Sequence, residues 1–361
     1  MGALQRTETA GTGAAMLTVD LGAVVANWRA LAARAAPAEC AAVVKADAYG
    51  LGAAEVAPAL ARAGCRTFFV ALTGEGVALR RLLGGGPEIF ILHGPAPGEE
   101  PMFAAHALVP VLNCAAQAHA WAAYAAEQPA AVQVDTGMAR LGLPPAEATG
   151  LPHLHVTLVL SHLACADDPA DPANAAQLAA FRALRQLWPD ARASLAASFG
   201  IFLGPEYHFD LVRPGAALYG IVPTAGPHPI RGVLRLRAPV IQTRRVPAGA
   251  GIGYGQTWRA PGPTRLATLG IGYADGLPRS LSNRGGAWLG ERRLPIVGRI
   301  SMDSVIVDAS AVPQAVLAPG TLLDLIGPMA GVDAVAEAAG TVGYELLTRL
   351  GGRFARRYLD G

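Results

Sequence analysis

One lysine stands out among the residues that could do chemistry. Lys and Arg together number 29, and Lys45 is the only lysine, so the other 28 are arginines. An amine can lose its proton and attack a carbonyl carbon, whereas a guanidinium stays protonated in proteins. Lys45 follows the apolar run 40–44, where a buried strand would end. Its type and place predict a catalytic amine that forms a Schiff base, either with a carbonyl substrate or with pyridoxal phosphate (PLP).

Polar residues follow four other predicted strands. They are Asp135, Arg140, Ser161, His162, Ser198 and Arg213. Taken singly, each is typical of an ordinary loop or surface residue. Together they indicate one polar site, because the carboxyl ends of barrel strands meet on one face. Ser198 with Gly200, and Gly215 with Ala216, offer a hydroxyl and backbone N–H groups for a phosphate in the loops that usually bind one.

A glycine-rich segment, AGAGIGYGQTW (248–258), surrounds Tyr254. Such a composition is typical of a flexible hairpin loop. It also allows the backbone to approach a site closely and present the tyrosine hydroxyl. The SMD segment (301–303) lies between apolar strands and can place a carboxylate near the same site, although an ordinary strand end has the same pattern.

The elements that must position these residues alternate between short apolar runs and helical patterns. Eight candidate strands lie at 40–46, 67–71, 88–92, 107–112, 131–135, 154–160, 192–197 and 209–215. Repeated strand–helix units predict a parallel sheet, and eight of them predict a closed (β/α)₈ TIM-like barrel. A doubly wound open sheet is the alternative. It is disfavoured as a dinucleotide-binding fold because no G-x-G-x-x-G follows the first strand.

The pattern changes near residue 237. Strand-like runs joined by Gly and Pro turns follow, with helical patterns at about 332–339 and 344–350. We therefore expect a loose tail over 1–15, a barrel over 16–237 and a mostly-β domain over 238–361. Residues 16–19 are strand-like and could join either domain.

Composition excludes several classes of protein. The net charge is +2 and no Lys/Arg run occurs, so neither nucleic acid nor an anionic membrane is an expected partner. No uninterrupted apolar stretch is long enough to predict a membrane span, and the N-terminal residues do not resemble a signal peptide. The four cysteines form no C-x-x-C pair, which predicts reduced cytoplasmic thiols and no metal site.

Seven motifs together resemble the alanine racemases, and they extend over nearly the whole chain. They are VVKADAYGLG (43–52), VDTGMARLG (134–142), SHLACAD (161–167), RPGAALYG (213–220), GYGQTW (253–258), IGYADG (271–276) and GRISMD (298–303). The resemblance implies a PLP-bearing barrel followed by a β domain, in a homodimer whose active site is shared between subunits.

The resemblance also implies residue roles. Lys45 would form the aldimine with PLP and act as one acid/base, and Tyr254 of the partner would act on the opposite face. Arg213 would face the pyridine nitrogen, supported by His162, and Arg140 would hold the substrate carboxylate. The implied phosphate ligands are Tyr49, Ser198, Gly215 and Ala216. The implied residues of the substrate entrance are Tyr273, Met302 and Asp303.

Three positions depart from the family pattern. Gln133 stands where some members carry a carboxylated lysine that steadies the arginine matching Arg140, so we expect Gln133 to act as a neutral acceptor for that arginine. Ala197-Ser198 replaces the usual Asn-Ser pair. Gly352 stands where some members place a tyrosine that touches the phosphate.

The resulting prediction is a cytoplasmic PLP-dependent alanine racemase that interconverts L- and D-alanine by a two-base mechanism and supplies D-alanine for peptidoglycan. The alternative within the same chemistry is a broader racemase acting on serine or basic amino acids. A PLP-dependent decarboxylase or aldolase would not require Tyr254. A non-catalytic PLP carrier would generally lack the β domain, and a PLP-free aldolase would hold no chromophore.

Overall fold

The computed structural model describes residues 14–222 and 228–360. The predicted tail over 1–15 lies outside them except for residues 14 and 15. The chain divides into two compact units. We call Ala23–Arg231 the inserted unit, and the residues up to Gly22 together with those from Gly232 onward the terminal unit.

The strands and α-helices are numbered in chain order. The strands are β1 Met16–Asp20, β2 Glu39–Cys40, β3 Ala42–Val43, β4 Thr67–Val70, β5 Glu88–Ile91, β6 Val109–Leu112, β7 Ala130–Gln133, β8 Val156–Leu160, β9 Arg192–Ser194, β10 Leu211–Val212, β11 Leu234–Val246, β12 Gly251–Ile252, β13 Trp258–Arg259, β14 Thr264–Leu269, β15 Gly286–Leu289, β16 Arg292–Pro295, β17 Val305–Asp308, β18 Leu322–Ile326 and β19 Ala355–Leu359. The helices are α1 Leu21–Ala35, α2 Lys45–Gly50, α3 Ala53–Arg62, α4 Thr73–Leu83, α5 Glu100–Ala105, α6 Ala115–Ala125, α7 Pro145–Ala148, α8 Pro172–Leu184, α9 Val332–Ala339 and α10 Gly343–Thr348.

The inserted unit is built on a curled parallel sheet. Strands β3 to β9 pair in sequence order. The eighth predicted strand is β10, which pairs in parallel with β2 through Leu211 and Glu39. On its other side, the N–H of Arg213 donates to the carbonyl of Ala196 at 2.9 Å, just beyond the end of β9. The predicted α/β barrel fold is confirmed, with three short helical segments, α2, α5 and α7, that the sequence pattern did not indicate.

The core of the barrel is apolar because its strands are covered on both faces. All four residues of β4 are buried. Inside the barrel, the rings of Phe69 and Phe90 stack with centroids 4.8 Å apart. Burial on both faces explains why these strands appear in the sequence as continuous apolar runs rather than alternating ones.

The amino-terminal ends of four strands are joined by one ion-pair group. Arg192 donates to Glu39 at 3.1 Å and to Glu88 at 2.7 Å. The hydroxyl of Thr67 also donates to Glu39, at 2.6 Å. These charges lie at the end of the barrel opposite the carboxyl ends of the strands, so they stabilise the fold rather than the site.

The terminal unit is mostly β, as predicted. Its main sheet has the order β16-β15-β18-β11-β1-β19, with β14 pairing to β11 and β17 pairing to β14. Strand β1 lies between two strands from the other end of the sequence, antiparallel to β11 and parallel to β19. The short hairpin β12–β13 carries the glycine-rich segment around Tyr254.

None of the helices in the described part of the chain is long and apolar enough to cross a membrane.

Candidate active site

Lys45 lies where the sequence places it, at the carboxyl end of a barrel strand. The ladder from β3 to β4 ends with the N–H of Val44 donating to the carbonyl of Phe69 at 2.9 Å, and Lys45 is the next residue. The amine is partly buried. Burial first, and the positive charge of Arg140 second, lower the pKa of Lys45, while Glu75 raises it. The amine therefore loses its proton at a lower pH than the amine of a free lysine does. The uncharged form is the one that acts as a nucleophile and accepts protons.

The chain turns left-handed directly after Lys45. From Ala46 to Tyr49, φ lies between 52° and 57° and ψ between 36° and 51°. None of these four residues is glycine, and each costs about 1–2 kcal/mol in this conformation. The segment is therefore held by tertiary contacts rather than by its own preference.

Arg213 is a buried cation at the carboxyl end of β10, with only 3% of its surface exposed. One terminal nitrogen donates to the hydroxyl of Ser194, and the other donates to the carbonyl of Ser161 at 2.6 Å. No carboxylate among the described residues pairs with it. Burial lowers the pKa of Arg213 to about 10, so it stays protonated at neutral pH with further N–H groups available to an acceptor.

His162 is a neutral neighbour of these cations. Burial, followed by the charges of Arg213, Arg140 and Lys45, lowers the pKa of His162 to about 3. A fourth positive charge is thereby avoided. Its backbone carbonyl accepts a hydrogen bond at 3.0 Å from Gln177, a buried residue of α8.

Ser198, Gly215 and Tyr49 form a small polar cradle. The hydroxyl oxygen of Ser198 accepts from the N–H of Gly215 at 2.9 Å and from the N–H of Ala217 at 3.1 Å. A Cβ at position 215 would lie 2.5 Å from the Tyr49 hydroxyl, so only glycine permits this approach. Ala216 lies between Gly215 and Ala217 and begins the turn Ala216–Tyr219. Its N–H has no hydrogen-bond partner in the described chain.

The loop that carries Arg140 is held through its backbone. One carboxylate oxygen of Asp135 accepts from the N–H groups of residues 137, 138 and 139 at 2.9–3.2 Å. The side chain of Gln133 donates to the carbonyl of Leu141 at 3.2 Å, next to Arg140 rather than to its guanidinium. Arg140 is exposed and has no hydrogen-bond or ion-pair partner in 14–222 or 228–360. It is available for a carboxylate.

In the terminal unit, the predicted entrance residues lie on two loops packed against each other. A Cβ at position 272 would lie 2.2 Å from the carbonyl oxygen of Met302, so glycine is required beside Tyr273. The N–H of Tyr273 donates to the carbonyl of Ser301 at 3.1 Å. Arg353 also links Asp303, at 2.7 Å, to the buried carboxylate of Asp275, at 3.2 Å.

Tyr254 is the most exposed of these residues, at 70%. The backbone of its loop lies close to residues 298 and 299, which precede Met302 in the chain. The structure thus groups Tyr254, Tyr273, Met302 and Asp303 within the terminal unit. It groups the remaining predicted site residues, from Lys45 to Ala216, within the inserted unit.

Sequence reasoning missed Glu75 and Ser194. Glu75 lies in the first turn of α4, where an acidic residue is usually a helix cap and gives no sign of contact with Lys45. Ser194 ends the short strand β9 and is fully buried, and its link to Arg213 depends on β10 lying beside β9, which the bond from the N–H of Arg213 to the carbonyl of Ala196 shows. Neither residue has a local sequence signal that would have found it.

Two family models match the chain in order. The alanine racemase N-terminal domain matches residues 19–223, and the alanine racemase C-terminal domain matches residues 233–358. Among curated relatives, a protein of Mesorhizobium japonicum named "Alanine racemase, catabolic" is 53% identical over 96% of this chain and 94% of its own. The alanine racemase of Rhodospirillum rubrum is 50% identical over 95% of this chain and 96% of its own.

Solved structures give the same family. The alanine racemase of Bartonella henselae, crystallised with covalently bound pyridoxal phosphate, matches with a TM-score of 0.92 and 42% identity over 96% of this chain and 99% of its own. The biosynthetic alanine racemase of Pseudomonas aeruginosa matches with a TM-score of 0.90 and 36% identity over 96% of this chain and 99% of its own.

Proposed function

The chain belongs to the alanine racemase family, and on that premise we propose that it interconverts L- and D-alanine with two acid/base groups, Lys45 and Tyr254. It is a PLP-dependent isomerase. The observation that carries the assignment of Lys45 is its amine, on the only lysine of the chain, at a barrel strand end with a lowered pKa. The role of Tyr254 rests on the family resemblance.

The residues of the inserted unit fit PLP. Both lone pairs of the Ser198 hydroxyl are filled by backbone N–H groups, so its hydrogen remains to be donated to a phosphate oxygen. The close approach of Gly215 to Tyr49 leaves no side chain in that place. Lys45 would hold the amine-reactive carbon of PLP, Ser198 and Tyr49 would hold its phosphate, and Arg213 would hold its pyridine nitrogen.

The chemistry that PLP supplies when bound is electron withdrawal from the α carbon of the substrate amino acid. Lys45 holds or releases the proton on one face. Because its pKa is lowered, the protonated amine gives up its proton readily. Tyr254 would exchange the proton on the other face, because inversion of a carbon requires removal and return on opposite sides.

Arg213 would limit how far bound PLP withdraws electrons. It stays protonated, so it would donate a hydrogen bond to the pyridine nitrogen without transferring a proton. The Ser194 hydroxyl and the Ser161 carbonyl hold its position without adding charge, and neutral His162 would support it, as the family resemblance implies. This arrangement favours proton exchange at the α carbon over side reactions that require a stronger electron sink.

Arg140 would bind the substrate carboxylate. It is exposed, and Asp135 and Gln133 fix its loop through backbone atoms, so the guanidinium can form two parallel hydrogen bonds to a carboxylate. Tyr273, Met302 and Asp303 would line the entrance.

The direct experiment is racemisation of each alanine enantiomer by protein loaded with PLP, followed by circular dichroism, in wild type, Lys45→Ala and Lys45→Arg. Lys45→Arg is the matched control, because it keeps the positive charge without a nucleophilic amine. We expect both variants to lose the visible absorbance of covalently bound PLP and the activity. Wild-type turnover by Lys45→Ala would refute the assignment. A panel with serine and arginine measures how far alanine is preferred.

We further propose a homodimer in which Tyr254 serves the partner's Lys45. Lys45 lies in the inserted unit and Tyr254 in the terminal unit, and the family resemblance assigns the two to different subunits. Mixing inactive Lys45→Ala with inactive Tyr254→Phe would then restore about one quarter of wild-type activity, because half of the dimers carry one intact site. No recovery after verified subunit exchange would contradict a shared site.

We also propose that D-alanine made in the cytoplasm supplies peptidoglycan. The biosynthetic alanine racemase of Pseudomonas aeruginosa, a structural neighbour, supports this role, whereas two relatives, in Mesorhizobium japonicum and Agrobacterium fabrum, are named as catabolic. Deletion of the gene separates these roles. A growth requirement for D-alanine supports supply, and a failure to use alanine as a nutrient supports catabolism.

A further inference from the structure

The left-handed turn after Lys45 is fixed by a carboxylate from another helix. Glu75, in the first turn of α4, accepts a hydrogen bond from the N–H of Ala46 at 2.6 Å through Oε1. Its other oxygen accepts from the N–H groups of Ala71 and Leu72 at 2.8 and 3.1 Å. One side chain thus joins the backbone directly after Lys45 to the backbone directly after β4.

Glu75 continues the strand pairing past the point where the backbone ladder stops. The last ladder bond runs from the N–H of Val44 to the carbonyl of Phe69. Beyond it, Ala46 has φ of 52° and turns away from β4, so direct pairing ends. Short hydrogen bonds to a carboxylate are among the stronger ones in proteins. Glu75 therefore links the two segments where backbone hydrogen bonds between β3 and β4 have ended.

The charges around the amine make this carboxylate significant. Arg140, in the loop after β7, acts on Lys45, and His162, in the loop after β8, stays neutral because burial and the charges of Arg213, Arg140 and Lys45 lower its pKa. Glu75 acts on Lys45 in the opposite sense to Arg140. The neighbouring carboxylate of Asp47 accepts from the N–H of residue 53 at the start of α3.

We propose that Glu75 is a positioning residue for Lys45: its carboxylate holds the left-handed turn that sets the direction of the Lys45 side chain, and it places a negative charge against the backbone next to the residue that carries the amine. The proposal rests on the proposed function for its effect on turnover, and on the geometry alone for its effect on the amine.

The test uses Glu75→Gln and Glu75→Ala in the full chain, with Glu99→Gln as the matched control. One oxygen of Glu99 accepts from the N–H of Ala96 at 3.1 Å and from the hydroxyl of Thr73, at the start of α4, at 2.7 Å. The amide oxygen of glutamine can keep both bonds, so this variant removes a carboxylate charge near α4 without freeing Ala46. Lysine labelled with ¹⁵N gives one side-chain signal, because Lys45 is the only lysine. Its titration in protein freed of PLP reports the amine directly, apart from activity.

We expect Glu75→Gln to shift the pKa of Lys45 downward, because a negative charge is lost while one acceptor for Ala46 remains. Glu75→Ala also releases the turn, so kcat falls on the order of 100-fold while KM for alanine changes little, because the Arg140 loop is untouched. Glu99→Gln leaves the titration and kcat at wild-type values.

A wild-type Lys45 titration together with a wild-type kcat in both Glu75 variants would overturn the proposal, even if thermal stability falls, because that pattern describes a purely structural carboxylate. Failure of the proposed function has a different signature: wild-type protein would not racemise alanine at all, while the Lys45 titration would still respond to Glu75→Gln.

Discussion

Replacing Ser198 with alanine tests whether this hydroxyl is donated to the cofactor phosphate. Ser198 is buried, and its oxygen already accepts from the N–H groups of Gly215 and Ala217. The remaining hydrogen can only be donated, and a phosphate oxygen is a charged acceptor. Hydrogen bonds to charged groups contribute about 1.5–3 kcal/mol. The variant should therefore bind PLP roughly 10- to 150-fold more weakly.

The same substitution should also lower stability. Two buried backbone N–H groups lose their acceptor, and each such loss costs about 1–3 kcal/mol unless water enters. The Ser198 site is polar, so water can recover part of this, and we expect a loss of about 2 kcal/mol in the free energy of unfolding without PLP.

The assay pairs a PLP titration, followed by absorbance, with urea unfolding of the protein freed of PLP. Ser280→Ala is the control, because its hydroxyl donates at 2.7 Å to one backbone carbonyl in the terminal unit and has no phosphate role. A Ser198→Ala protein that loses stability but binds PLP as tightly as wild type would refute the donation to phosphate. Unchanged stability would refute the conclusion that the Ser198 oxygen is needed as an acceptor for the N–H groups of Gly215 and Ala217.

For three other substitutions, the structure gives the direction of the expected change in KM, in the pKa of Lys45 or in stability. Gln133→Ala frees the loop of Arg140, so KM for alanine should rise about fivefold to tenfold with a smaller change in kcat, measured by steady-state kinetics. Arg140→Leu removes a positive charge that lowers the pKa of Lys45, so the labelled amine should titrate at higher pH than in wild type; an unchanged titration would contradict the electrostatic account. Arg192→Ala leaves two partly exposed carboxylates without their cation and should cost about 1 kcal/mol in thermal unfolding, with racemisation unaffected.

The barrel could be predicted from sequence because its strands are short apolar runs separated by helical patterns. The position of Lys45 followed from the same pattern, since a polar residue directly after a buried run must lie at a strand end. The cradle around Ser198 followed in outline from glycine and hydroxyl residues after the last two strands. In each case the signal is local, within a few residues of the feature it predicts.

The turn from Ala46 to Tyr49 could not be predicted because its cause lies far away in sequence. Alanine favours a right-handed helix, so the composition of this segment indicates the opposite hand. The carboxylate that holds it belongs to Glu75, in another helix. The redirected contact of Gln133 is similar: residue type gives its hydrogen-bonding capacity, and only the folded loop decides that Leu141 receives it.

The position of β1 in the terminal sheet determines the order in which this chain can fold during synthesis. Strand β1 is made first, but its neighbours β11 and β19 follow only after the whole inserted unit has been translated. Domains usually fold as units once they leave the ribosome, so the inserted unit can complete its barrel while β1 has no strand to pair with. Leu17 and Val19, fully buried in the finished sheet, then stay exposed through most of translation.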